Sequence, residues 1–165
     1  MNFVKAALAN GGSIKPLIIP SELTNGTGLC NPSVFTENDK ILVNLRHIQY
    51  TLYHSELCKY EHQYGPLVYL NPENDITLTT TNYICELNDE LDITHYTKVD
   101  TSVHDQKPLW EFVGLEDARL FKWDGKVYLS GVRRDTTTNG QGRMELSELE
   151  FTDTEVKEID RFRIP

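Results

Sequence analysis

Residues 31–43, NPSVFTENDKILV, can be laid over residues 117–129, DARLFKWDGKVYL, without a gap. The shift is 86 positions, from Asn31 to Asp117. Phe35 then falls on Phe121 and Lys40 on Lys126, while Val34, Ile41 and Val43 fall on Leu120, Val127 and Leu129. Further on, ICEL at 84–87 matches LSEL at 146–149 with a shift of 62, so the first copy carries about 24 additional residues, which must lie within 47–75. A unit used twice has to pack copy against copy, and that restricts the possible architectures more than composition does.

Inside each copy the apolar residues rarely recur at helical spacing. Short β-type runs separated by turn residues dominate instead, and the fold class they predict is all-β. Strands are expected at 31–35, 40–46, 76–87 and 91–99, and again at 116–121, 126–134, 143–151 and 155–163. WDGK at 123–126 carries the Asp-Gly hairpin signal, and TEND at 36–39 takes the matching place in the first copy. An antiparallel four-stranded unit used twice describes two blades of a β-propeller and equally the halves of a sandwich. The expected organisation is one domain over 1–165, with a first unit at about 31–100 that carries the insertion 47–75 and a second at about 110–165. The insertion is rich in Tyr and His, which suits either the rim of an active site or a local packing pad.

With 39% apolar and 10% aromatic residues, the chain can build a core. Its formal charge of −9 argues against nucleic acid and anionic membranes as partners, because both need a basic face, and fits a small-molecule or oligosaccharide ligand better. Cys30, Cys58 and Cys85 are odd in number and have no C-x-x-C spacing, so they read as reduced thiols rather than as a disulfide framework or a zinc site. MNFVKAALANGG has only a short apolar run and no convincing cleavage site, which makes a cytoplasmic protein the expectation.

Chemistry concentrates in GLEDARLF at 114–121, where Glu116, Asp117 and Arg119 interrupt an otherwise apolar strand. Charged side chains seldom enter a core unless paired or reactive. On a regular strand Glu116, Ala118 and Leu120 would share one face and Asp117, Arg119 and Phe121 the other, with Asp117 and Arg119 about 6.5 Å apart. That pair is either a structural ion pair or an acid beside the cation that orients it. Arg133 and Arg134 stand in tandem, so only one can face a given site, and Arg46 lies in the corresponding region of the first copy, one residue out of register. Arginines so placed suit an anion or the oxygens of a sugar. Trp110, Phe112 and Trp123 surround the acids as either sugar platforms or packing residues. The glycines of DTTTNGQGRM do not follow a strand and open a helix, and the five histidines show no H-x-x-x-H spacing, so neither a phosphate loop nor a metal site is expected.

NPSVF…ILVNLR followed by GLEDARLFKWDGKVYLSGVRRD resembles the five-bladed β-propeller glycosidases, most closely glycoside hydrolase family 130, whose members are β-mannoside phosphorylases and hydrolases; mannosyltransferases form a sister family. The shared features are Asn31-Pro32, Arg46 ending the next strand, the signature G-x-E-D-P-R as Gly114, Glu116, Asp117 and Arg119, and the strand DGKVYL at 124–129. The resemblance implies that Asp117 is the single general acid and that inorganic phosphate is co-substrate of an inverting reaction, with no other cofactor. Asn31, Arg46, Trp110, Glu116, Arg119, Arg133 and Arg134 would bind the substrates, with Arg46, Arg133 and Arg134 in the phosphate-holding role. A non-catalytic glycan-binding module, or a transferase using a sugar phosphate, are the alternatives. Ala118 stands where the signature has proline, and the chain holds two units where the resemblance implies five blades. The remainder would come from a longer chain or from another copy.

Overall fold

The computed structural model describes residues 2–24, 27–54, 67–70 and 77–164, with 51–54 and 67–70 known by their backbone alone. Two short helices come first, α1 (Phe3–Ala9) and α2 (Ser21–Thr24). The first copy then contributes β1 (Gly28–Glu37), β2 (Lys40–Ile48), the small pair β3 (Thr51–His54) and β4 (Leu67–Leu70), β5 (Leu78–Leu87) and β6 (Ile93–Asp100). After a two-residue strand, β7 (Phe112–Val113), come β8 (Glu116–Trp123), β9 (Lys126–Arg133), β10 (Arg143–Phe151) and β11 (Val156–Arg163). All eight strands expected from the pattern are present. The hairpin β3–β4 falls inside the insertion, most of which lies outside the described residues.

Each copy is an antiparallel meander, β1-β2-β5-β6 and β8-β9-β10-β11. Their first hairpins are built alike. Asn38 and Asp39 both have positive φ, as do Asp124 and Gly125, which is the type I′ geometry that matches the twist of the flanking strands. A Lys–Glu bridge between the second and third strands also recurs, Lys40 to Glu86 at 2.8 Å and Lys126 to Glu148 at 2.9 Å.

The meanders are not separate blades. β6 runs parallel to β11 through Val99–Val156 and Asp100–Lys157, so the strands form one continuous path, β1-β2-β5-β6-β11-β10-β9-β8. The ends of that path also meet, where the backbone N–H of Leu120 donates to Ser33 Oγ at 3.0 Å. The result is a nearly closed, barrel-like sheet. The all-β class is therefore what the structure shows, whereas the expected four-stranded propeller blades give way to one sheet, because the fourth strands of the two copies pair with each other.

The main core lies between the two halves. Leu42, Ile84 and Val99 of the first copy meet Leu120, Leu129, Leu149 and Val156 of the second. The opposite face of the first meander, with Val43, Leu45 and Cys85, is covered by Leu17, Ile19 and Leu23 of the N-terminal segment. Among the described residues no helix is long and apolar enough to cross a membrane.

Candidate functional site

Where β1 and β8 meet, each strand carries a β-bulge at the same place in its copy. Between the pairs Cys30–Arg46 and Ser33–Asn44, three steps on β1 oppose two on β2. Between Glu116–Val132 and Arg119–Ser130 the same happens on β8. The extra residue brings a positive φ into each strand, +48° at Asn31 and +53° at Asp117, the two residues that the repeat superposes. Asn and Asp tolerate this left-handed conformation better than other residues with a side chain. A bulge kinks the strand and re-aims its side chains.

The consequence is visible in the acids. Regular alternation would send Glu116 and Asp117 to opposite faces; the bulge lets both reach Arg46. The Arg46 guanidinium donates from Nη1 to Asp117 Oδ1 at 2.5 Å and from Nη2 to Glu116 Oε2 at 3.1 Å. Its Nε donates to Thr80 Oγ1 at 3.2 Å, and Nη2 also reaches Tyr50 Oη at 3.4 Å. Asn31 Nδ2 donates to the same Asp117 oxygen as Arg46. Burial works against the Arg46 charge, but Glu116 above all, with Tyr50, Cys30 and Asp117, holds its pKa above the ordinary value. The Arg46 side chain is 7% exposed, while that of Asp117 is 52% exposed. The acid thus faces solvent with one oxygen anchored.

Arg119 does not pair with Asp117 as a regular strand would have it. Its Nη1 donates to the carbonyls of Asn31 and Pro32, each at 2.9 Å, and so clamps the bulge of the opposite copy. Arg134 comes next to the acids from the other side, with Nε 3.4 Å from Glu116 Oε1 and its guanidinium 5.0 Å above the Phe112 ring. Arg133 points away. It is buried, with Nε donating to Glu145 at 2.8 Å and Nη1 to Asp135 at 3.0 Å. Trp110 is tied through its indole N–H to the carbonyl of Thr137 at 2.6 Å and packs over Gly140. Asn31, Arg46, Glu116, Asp117, Arg119 and Arg134 are therefore brought together, Trp110 borders the loop that follows Arg134, and Arg133 belongs to a different cluster.

Gly114 makes the approach possible. Its φ is +97°, and a Cβ there would lie 2.2 Å from the Thr80 carbonyl oxygen, so only glycine lets the acid-bearing segment pass this close to β5. Asn44 and Asn82 escaped the sequence reading. Both are buried, and they donate to the carbonyls of Ala118 at 3.3 Å and Leu115 at 2.9 Å. Asn44 carried a signal, an amide inside the apolar run ILVNL, whereas Asn82, after three threonines, carried little.

Cys30 sits beside the cluster. Burial pushes its thiol up, Arg46 opposes this, and Asp117 and Glu116 add to it, so the sulfur stays protonated at neutral pH and is a poor nucleophile. Among the described residues no three His, Cys, Asp or Glu side chains converge in a metal-binding group. A cavity of about 330 Å³ lies behind Gly114, lined by Thr80, Asn82, Arg133, Asp135 and Arg161 among others; Glu116 and Asp117 do not line it. Comparison with protein-family models, with curated proteins and with solved structures finds no match.

Proposed function

We propose that the protein is carbohydrate-active and catalyses inverting phosphorolysis of β-mannosides, with Asp117 as general acid. One observation carries this reading. The half-exposed Asp117 carboxylate accepts from Arg46 and Asn31 of the other copy at the junction of β1 and β8, and the same Arg46 also holds Glu116. Arg46 and Asn31 both donate to Oδ1, which makes Oδ2 the oxygen that exchanges the proton. The proton passes from Oδ2, by way of a sugar hydroxyl, to the bridging oxygen as the glycosidic bond breaks. A phosphate oxygen forms the new bond to the anomeric carbon from the opposite face and leaves a sugar phosphate of inverted configuration.

The arginines divide the work. Arg46 is spent on two carboxylates and orients the acid, while Arg133 is held in its own buried pairs. Arg134, 40% exposed, has donors to offer an anion. Trp110, 40% exposed, supplies a ring face for the sugar. Hydrolysis would need a second carboxylate across the sugar as base, and Glu116, beside Asp117 and held by Arg46, lies on the wrong side for that role. The reading needs the junction of β1 and β8 rather than a closed ring of blades, and phosphate ligands from a longer chain or a second copy would complete it. Free thiols at Cys30 and Cys85 suit a cytoplasmic setting.

The test is phosphate release from mannose 1-phosphate with a panel of sugar acceptors. In Asp117→Asn, release should fall by roughly 100-fold or more while sugar affinity changes little. Undiminished release in that variant would remove Asp117 from the role. A wild-type protein that binds sugars without turnover would favour the glycan-binding alternative, to which the fully paired Oδ1 of Asp117 is equally suited.

A further inference from the structure

We propose that Asn44 and Asn82 are positioning residues, an amide pair that holds the acid-bearing bulge in its reactive shape; this rests on the reading of Asp117 as the acid. A bulge removes a strand from its regular ladder and leaves backbone carbonyls to be satisfied by other means. The two carbonyls that bracket the acids are those of Leu115 and Ala118. Asn82 Nδ2 donates to Leu115 O at 2.9 Å, and Asn44 Nδ2 donates both to Ala118 O at 3.3 Å and to Asn82 Oδ1 at 3.1 Å. Turning the Asn44 amide over would set its oxygen against two others, so the network admits one orientation. Asn44 is fully buried and Asn82 nearly so.

The repeat isolates what is special here. The shift of 86 places Asn44 on Ser130, and the shift of 62 places Asn82 on Met144. Those two counterparts also touch, Ser130 Oγ to Met144 Sδ at 3.4 Å. The second copy therefore keeps the contact but not the amides. The amides occur in the copy whose face meets the acid-bearing strand, which is what a device for that strand requires. Thr80, two residues before Asn82 on the same face of β5, adds the bond to Arg46, so one strand supports both the acids and their counter-ion.

The experiment compares Asn44→Ser, which copies the second unit, with Asn82→Ser and the double variant. Each is assayed for kcat and KM in phosphate release from mannose 1-phosphate, for urea unfolding, and for amide hydrogen exchange at residues 116–119. Expected are a kcat loss of roughly 10- to 100-fold at nearly constant KM, a double variant little worse than the poorer single one, and faster exchange at Asp117 in protein that remains folded. An unchanged kcat, or a loss that only follows the unfolded fraction, overturns the proposal. A wild type without turnover counts against the catalytic reading rather than against the amide pair, and the exchange data then decide alone: unchanged protection at 116–119 in folded Asn82→Ser overturns the positioning role.

Discussion

Arg46 binds two carboxylates that lie 70 and 71 residues further along the chain, and it does so from a buried position. Sequence reading placed it in the site as a phosphate ligand. Four of its five N–H donors are engaged by Glu116, Asp117, Thr80 and Tyr50, and the two bonds to the acids are ones that spacing cannot convey, because they depend on where the second copy docks. Cys85 gives a residue-scale prediction of a different kind. It is fully buried, and burial alone pushes its thiol up to about 11 from 9.0. The folded state thus binds this proton more tightly than the unfolded chain. Its contribution is fully present below pH 9.0 and is lost as pH rises through about 11, because the unfolded chain ionises first. The loss should be roughly 1–3 kcal/mol. Urea unfolding of wild type and Cys85→Ala at pH 8 and near pH 11 should show a stability gap that narrows at the higher pH. A gap of constant size would mean that the thiol is not shielded.

At the scale of elements, the two copies can be read against each other. Their strands, hairpins and bulges coincide, and both hairpins are type I′ turns. The second copy has Asp124-Gly125 where the first has Asn38-Asp39. Asp39 adopts φ +61° with a side chain, Gly125 φ +76° without one. Asp39→Gly should therefore stabilise the protein by roughly 0.5–1 kcal/mol, by relieving a left-handed residue at a position that prefers glycine. Chemical denaturation would register it, and a destabilised variant would show that Asp39 holds the turn by its side chain. The bulges themselves were invisible in the sequence. A bulge is a count of residues against a partner strand, three steps against two, and neither Glu116-Asp117 nor Cys30-Asn31 announces that count.

At the scale of the molecule, the space between the two meanders is apolar at one end and ionic at the other. Glu145 and Glu158 are each 1% exposed. Glu145 accepts from Arg133 at 2.8 Å and Arg163 at 2.5 Å, and Glu158 from Arg161 and Ser147, both at 2.5 Å. Removing one member of such a cluster leaves buried charge without its counterpart, so Glu145→Gln should destabilise by about 3 kcal/mol, read from urea or thermal unfolding. A change well under 1 kcal/mol would mean that the remaining partner Asp135 suffices for Arg133.

Alternation, turn residues and internal repetition are local properties, and the sequence by itself determined what depends on them: an all-β chain, eight strands close to their observed limits, two Asx-containing hairpins, and the equivalence of Asn31 with Asp117. The tertiary structure decided the rest. In RMELSELEF, hydrophobicity favours burying Met144 and Leu146, yet Glu145 and Ser147 are inside, because Arg133, Arg161 and Arg163 meet them or their neighbour Glu158 there. The pairing of β6 with β11 turned two units into one sheet, and the bulge on β8 turned two opposed acids toward one arginine. Each of these outcomes depends on a partner far away in the chain, whose position exists only once the two copies have packed together.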